Sequence, residues 1–406
     1  MAPEQTCVIV GASLAGAKAA ETLRAEGFDG RVVLIGEETQ RPYERPMLSK
    51  EYLRGDKPTA KLFVHDEDFY AGHDIELLTS TRVASFDPGA HEVTLQDGSR
   101  MPYSRLLLST GAAPRRLQLP GTNLPGVRYL RQMADSDALR AAIKAASRVV
   151  VIGAGWIGSE VAASARQLGA QVAIVAPDAV PLERVLGPEL GGVYRDLHAE
   201  HGVDLHLSTQ IEAIVGGGAA QGVRTTDGSV IEGDLVVVGV GASPRDELAR
   251  DAGLMLENGI VVDEFLRTSA PDVFAAGDVA ATWNPMYNRR IRMEHWANAL
   301  NQGQTAARNM LGQETAYTKL PYFYSDQYDL GMEYNGYASD WDRVVLRGDV
   351  TGREFLAFWL KGGRVLAGMN ANVWDQGDDI KALVRSGATV DADRLADPSV
   401  PLADLA

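Results

Sequence analysis

Cys7-Val-Ile-Val10 runs into Gly11-Ala-Ser-Leu-Ala-Gly16, and far downstream Arg148-Val-Val-Val-Ile152 runs into Gly153-Ala-Gly-Trp-Ile-Gly158. Each turn is followed by an alanine-rich stretch with helical spacing, to about Glu26 and Leu168. A second apolar run then follows, Arg31-Val-Val-Leu-Ile35 in the first copy and Gln171-Val-Ala-Ile-Val175 in the second. Strand, glycine turn, helix, strand is a βαβ unit. In such a unit the first glycine makes the tight turn, the second admits a pyrophosphate close to the backbone, and the third lets helix and strand touch. The helix N-terminus adds free N–H groups and partial positive charge. The reading therefore predicts two dinucleotide sites, one on Gly11, Ser13, Ala15 and Gly16, the other on Gly153, Gly155, Trp156, Ile157 and Gly158. Ser13 takes the middle glycine's place with a small side chain that narrows the approach.

Outward from these turns the two halves repeat. Short alternating segments at 82–86, 92–95 and 105–108, punctuated by Pro88-Gly89 and Asp97-Gly98, predict an antiparallel meander after the first unit. Short strands, including Gly222–Thr226 and Leu235–Val238, follow the second copy too. The Pro/Gly-rich stretch 112–126 reads as a crossing between domains. Beyond Gly241-Ala-Ser-Pro244 come the strand Asp272-Val-Phe-Ala-Ala276, ending in Gly277-Asp278, and a helix from about His295 to Leu311, expected to return to the first domain. From Tyr322 the texture changes to aromatic strands (355–360, 365–369) and a helix from Asp378 to Ser386. The expected fold is α/β, two Rossmann-like domains plus a C-terminal α+β domain, with boundaries at 1–113, 114–244, 245–321 and 322–406.

The chain's 406 residues, too many for one ordinary core, fit two or three domains. A formal charge of −15 disfavours nucleic acid and acidic membranes as partners. No apolar run is long enough to span a bilayer, and Met1-Ala-Pro-Glu-Gln-Thr6 lacks the features of a signal peptide, so a cytoplasmic location is expected. Cys7 is the only cysteine. An intrachain dithiol and a cysteine-ligated iron-sulfur cluster are both excluded.

Glu37, with Glu38 as its competitor, ends the second strand of the first copy, where a carboxylate would accept hydrogen bonds from a ribose diol. In the second copy that position is Ala176, followed by Pro177 and Asp178, so the carboxylate that favours NAD over NADP is missing and either NADH or NADPH fits. Arg184 is a candidate for a phosphate contact or a surface arginine. Trp156 covers a nicotinamide or packs a domain seam. His198 and His201 read as a helix surface and His206 as part of the following strand, so no metal site is expected. Arg289-Arg290-Ile-Arg292 is a basic run, either solvated or a docking patch.

Five segments together resemble a known family: 41–50 (Arg-Pro-Tyr-Glu-Arg-Pro-Met-Leu-Ser-Lys), Ser109-Thr-Gly-Ala112, 151–160, 268–278, and Glu294-His-Trp296 with Asn298-Ala299. The family is that of the FAD-dependent ferredoxin and rubredoxin reductases of oxygenase systems, similar to apoptosis-inducing factor and of glutathione-reductase-like architecture. The resemblance implies FAD in the first site, NAD(P)H as hydride donor in the second, and a small iron-sulfur ferredoxin as acceptor, in a monomer or homodimer. It implies that Lys50 lies beside the reactive end of the flavin, paired with Glu160, its charge answering that of the reduced ring. By the same resemblance Arg45, Val83, Thr110, Gly111, Arg131, Asp278, Glu294, His295, Trp296 and Tyr324 join the FAD side, and Gly241 the nicotinamide side. Tyr324 stands where many such reductases have tryptophan, and its segment resembles the apoptosis-inducing-factor side of the superfamily. Two other functions remain open: a diaphorase-like oxidase or quinone reductase, and a redox-sensing interaction protein.

Overall fold

The structure, a computed structural model, describes residues 5–405; residues 1–4 of the N-terminal stretch read above lie outside it. Contacts gather the chain into two compact units. One comprises Met1–Glu44, Thr59–Ala113 and Ser243–Pro321, the other Arg45–Pro58, Pro114–Ala242 and Tyr322–Ala406.

The first unit is built on a five-stranded parallel sheet in the order Val273–Ala275, Arg105–Leu108, Thr6–Val10, Arg31–Ile35, Ile75–Leu78. Cys7, Val8, Ile9, Val32, Val33 and Leu34 are buried on both faces of this sheet, which is why they read as continuous apolar runs. The meander forms from Val83–Asp87, Glu92–Leu95 and Arg100–Pro102; the third expected segment, 105–108, is instead a strand of the parallel sheet, because its consecutive buried leucines suit a sheet covered on both faces. Helix Leu14–Ala25 packs on helix Trp296–Met310. That crossing is close because Gly303 has no side chain: a Cβ there would stand 2.3 Å from the Ala15 carbonyl oxygen.

The second unit repeats the plan, with parallel strands in the order Asp204–His206, Gln171–Val175, Arg148–Ile152, Leu235–Val238, Val127–Arg128. Its fifth strand precedes the βαβ unit in sequence, whereas in the first unit the fifth strand follows. The unit also carries an antiparallel sheet, Tyr322–Gln327, Leu330–Gly336, Arg364–Ala371, Glu354–Lys361, Arg343–Asp349. One face of it receives Leu186, Leu190, Tyr194 and Leu197 of the kinked helix Glu183–Glu200, against Tyr334, Trp359 and Met369. Trp359 Nε1 donates to the Leu186 carbonyl at 3.1 Å. The other face is covered by helix Gly377–Ser386. Residues 45–58, inside the first expected stretch, pack in this unit: Leu53 joins Leu139, Val161 and Ala165 in one core, and Ser136 Oγ donates to the Leu48 carbonyl at 2.8 Å.

The helix-surface reading of His198 and His201 is corrected. His198 is fully buried, because the antiparallel sheet covers the helix face that a single amphipathic pattern would leave to solvent. His201 stacks on Tyr328 with ring centroids 3.6 Å apart. His206 lies on the strand Asp204–His206 and contacts Asp204. Among the described residues no three His, Cys, Asp or Glu side chains gather into a metal-binding group, and no helix is long and apolar enough to cross a membrane.

Burial pushes the His198 imidazole down to about 4. Its folded-state value therefore lies below the unfolded value, and between these two the unfolded chain binds a proton that the native state refuses. Stability from this group is complete above the unfolded histidine value, near pH ~6.5, and falls away as pH drops towards 4, by at most ~1.4 kcal/mol per pH unit. Chemical melts across that window should show this acid slope, reduced by up to one proton in His198→Gln; an unchanged slope would show that His198 titrates normally in the fold.

Candidate functional site

Both glycine turns are shaped by what a side chain would strike. A Cβ on Gly11 would lie 2.1 Å from the Ser109 carbonyl oxygen, and one on Gly16 would lie 2.1 Å from that of Gly11. Gly153 and Gly158 meet the same obstacles, at 2.5 Å from Gly239 O and 2.1 Å from Gly153 O. Gly11 and Gly153 also hold φ values of +117° and +102°, which favour glycine. The middle position is different. Gly155 has φ −79° and nothing within 4 Å of an added Cβ, so its lack of a side chain serves no contact inside the protein. Ser13, its counterpart, has φ −118°, ordinary extended backbone that a serine adopts without strain.

Neither helix that starts at these turns has a side-chain cap or an acidic residue in its first turn. Elsewhere the chain uses such caps: Asp391 accepts from the N–H groups of Asp393 and Arg394 at the start of helix Ala392–Ala396. Two N-termini with N–H groups uncapped by side chains, each behind a glycine turn, fit a pyrophosphate and its charge.

In the first unit the sequence-expected residues group around this turn. Ala15 faces Gly277, whose Cβ would lie 3.2 Å from its own. Thr110 Oγ1 donates to the Arg245 carbonyl at 2.6 Å, and Arg245 N donates to Gly111 O at 2.9 Å. The Arg245 side chain forks onto Glu37, Nη2 to Oε2 at 2.9 Å and Nη1 to Oε1. Asp278 lies in the turn Gly277–Val279; its carbonyl accepts from Arg292 Nη1 at 3.0 Å, and the same guanidinium donates to Glu294 at 2.5 Å. His295 stands at the N-cap position of helix Trp296–Met310 without a side-chain cap, and burial lowers its imidazole to about 4 against the opposing pull of Asp278. Trp296 Nε1 is buried with no partner, an indole donor left for a bound group. Val83 begins the meander, buried.

In the second unit Lys50 Nζ lies 3.3 Å from Glu160 Oε1. The pair is 3% and 4% exposed, so it sits where charge is expensive and needs further donors. Those donors are serines that sequence reasoning missed: Ser49 Oγ reaches Oε2 at 2.5 Å and Ser325 Oγ reaches Oε1 at 2.8 Å. The Tyr324 ring stands 5.4 Å from Lys50 Nζ. Arg45 Nη1 donates to the Arg131 carbonyl at 2.8 Å, so these two meet each other. Trp156 packs edge-on to Phe323 and Tyr194, at 5.0 and 6.0 Å between ring centroids. Ile157 is exposed, and Gly241 has open space where a Cβ would be. Arg184 pairs with Asp178 at 3.0 Å and is otherwise exposed.

Arg245 gives no signal of its own in sequence, since it meets Glu37 only through the return of a distant segment. Ser325 does give one: in Tyr322–Gln327 burial alternates, with Phe323, Ser325 and Gln327 inward, and two polar residues on a buried face need partners. The basic run is partly committed internally, Arg290 to the Val262 carbonyl (2.6 Å) and Arg292 to Asp278.

Residues 5–303 match the family model described as pyridine nucleotide-disulphide oxidoreductase, and 322–406 match the reductase C-terminal model. The chain is 42% identical to the anthranilate 1,2-dioxygenase system ferredoxin–NAD(+) reductase component of Burkholderia cepacia, over 97% of this chain and 98% of that one. It is 40% identical to the 5,5'-dehydrodivanillate O-demethylase ferredoxin reductase subunit of a Sphingobium species, over 99% and 98%. Among solved structures, the covalent putidaredoxin reductase-putidaredoxin complex matches with a TM-score of 0.95 at 36% identity, covering 100% of this chain and 98% of that one.

The two kinds of glycine separate in a paired test. Gly158→Ala should lower stability by about 1–3 kcal/mol, because the backbone must move to admit the methyl group. Gly155→Ala should leave the melting temperature unchanged and weaken dinucleotide binding in a titration. Equal effects of both substitutions on stability would contradict the open middle position.

Proposed function

From the chain's membership of the pyridine nucleotide-disulphide oxidoreductase family, to which it belongs with a reductase C-terminal domain, we propose that it is an FAD-dependent ferredoxin reductase taking hydride from NADH. The observation that carries this reading is the pair of uncapped helix N-termini behind two glycine turns, one for each dinucleotide. FAD, when bound, supplies the exchange between a two-electron hydride and single electrons.

The residues divide the work. The N–H groups after Ser13 and Gly155 hold the two pyrophosphates. Glu37, oriented by Arg245, accepts from the FAD ribose. Arg45, Thr110, Gly111, Arg131, Asp278 and the segment Glu294–Trp296 complete the FAD side. Lys50 supplies the fixed cation that answers negative charge on the cofactor ring, and Glu160 with its serines holds that ammonium in place. Arg184, Gly241 and Trp156 serve the nicotinamide side.

A thiol route is closed. Cys7 is alone and buried, and burial pushes its thiol up to about 12. Relatives carry the ferredoxin–NAD(+) reductase name in several dioxygenase systems, which supports a small iron-sulfur ferredoxin as the acceptor and NADH as the donor. The cytoplasm, where NADH is supplied, is the proposed location.

Anaerobic mixing of holoenzyme with NADH should bleach the flavin absorption, and a [2Fe-2S] ferredoxin should restore it faster than air does. No bleaching by NADH or NADPH would overturn the reading, and faster recovery in air would replace ferredoxin with oxygen as acceptor. Separately, Arg245→Ala should weaken FAD binding to the apoprotein by about tenfold, the loss of one charge-assisted bond. In a Glu37→Ala background Arg245→Ala should add nothing; an equal further loss there would show that Arg245 does not act through Glu37.

A further inference from the structure

Behind the Lys50–Glu160 pair a line of buried polar side chains continues through the second unit. Ser325 Oγ, 2.8 Å from Glu160 Oε1, lies 3.4 Å from Gln327 Nε2. Gln327 Oε1 lies 3.0 Å from His198 Nε2, and His198 Nδ1 lies 3.5 Å from the Tyr328 hydroxyl. Ser325, Gln327 and His198 are each 1% exposed or less, so water cannot substitute for these contacts from outside. Ser325 and Gln327 share the inward face of Tyr322–Gln327, and His198 comes from the last turns of helix Glu183–Glu200.

The direction of every bond follows from the charge at one end. A carboxylate ion-paired with Lys50 only accepts, so Ser325 must donate its single hydroxyl proton to Glu160. Ser325 can then only accept from Gln327, which turns the amide nitrogen towards it and leaves the amide oxygen facing His198. That oxygen also only accepts, so His198 must carry its hydrogen on Nε2. Because burial holds the imidazole down at about 4, the ring is neutral near pH ~7 and Nδ1 is a bare acceptor, to which the Tyr328 hydroxyl donates.

We propose that Ser325, Gln327 and His198 form a directed hydrogen-bond chain that positions Glu160, and through it Lys50, with His198 held as its Nε2–H tautomer by the charge on Glu160. His198 and Gln327 are positioning residues, since neither touches Lys50 or Glu160. A neutral Glu160 would permit the opposite polarity: Gln327 turned over, its nitrogen donating to a bare His198 Nε2, and the ring hydrogen on Nδ1 facing Tyr328. The tautomer of His198 is therefore tied to the charge of the buried pair. Other titratable side chains facing this line are Tyr194 and Asp326 beside Glu160, and His201 beside His198.

Nitrogen NMR of holoenzyme labelled at histidine tests the chain directly near neutral pH. The expected result is a neutral His198 with hydrogen on Nε2, and Ser325→Ala, which frees Gln327 to turn, should move both ring-nitrogen shifts towards a tautomer average. Hydrogen on Nδ1 in the wild type, or a ring unmoved by Ser325→Ala, overturns the proposal.

A kinetic arm rests on the flavin role proposed for the pair. His198→Leu should slow flavin reduction by NADH about fivefold, the worth of one hydrogen bond, without changing NADH affinity. His198→Gln, whose amide nitrogen reaches the place of Nε2, should restore the rate. If Glu160→Gln slows reduction and His198→Leu does not, the positioning role is overturned. If Glu160→Gln is also without effect, the flavin role of the pair fails instead, and the His198 tautomer alone decides the chain. Should His198→Leu not fold, the wild-type tautomer still decides it.

Discussion

Each parallel sheet of this protein depends on one steric constraint: a helix must start so close to the end of the central strand that backbone meets backbone. At Gly16 and Gly158 the added methyl of any other residue would fall 2.1 Å from a carbonyl oxygen of the preceding turn. No rotamer relieves such a contact, because Cβ has no torsion of its own. From this closeness follows the aim of the helix axis, and from the aim follows the concentration of bare N–H groups at one point beyond each sheet. A cap would satisfy those groups and spoil the site. Both helices lack side-chain caps, and the local cost of leaving donors open is consistent with a ligand that takes them.

The ion pair in the second unit poses the opposite problem. Lys50 and Glu160 are withdrawn from water almost completely, and Coulomb attraction alone rarely repays that withdrawal. The structure supplies the balance with neutral donors. Two serine hydroxyls converge on the carboxylate, and one of them is itself supported by Gln327 and His198. Ser49 also fixes the loop, since its carbonyl accepts from Ser164 Oγ at 2.7 Å on the helix that carries Glu160. The result is a cation whose partner cannot swing away, which is the preorganisation that charge stabilisation requires.

The parts legible in sequence are those governed by local rules. Two glycine turns between apolar runs, the first two strands of the meander, the return strand before Gly277-Asp278 and the change of texture at Tyr322 all rest on short-range geometry or composition. Residues 45–58 show the limit. Nothing in their composition says that Leu53 joins Leu139 and Val161, because that partnership is made by chain returning from elsewhere. His198 shows it again. Its helix is amphipathic by one count, but two layers compete for its faces, and a single-face reading leaves to solvent what the aromatic sheet covers. Lys50 and Glu160 come through resemblance; Ser49 and the Arg245 clamp on Glu37 do not, since a small polar residue in a loop and a surface-type arginine carry no signature until their partners are in view, whereas Ser325 is marked only by the alternation of its strand.

The family's name speaks of disulphide chemistry, yet this chain has one thiol, placed in the middle of a parallel sheet. Cys7 is a packing residue there, with Leu106, Leu107 and Val32 in the same core, and its thiol is driven away from ionisation by burial. The chain's aromatic antiparallel sheet sends Ser325 inward to Glu160 and sets Tyr324 beside Lys50. The third domain therefore serves the buried pair directly. Its first strand supplies a donor to the carboxylate and an aromatic face to the ammonium from alternate sides of one extended backbone, which only a strand, with its period of two, can do.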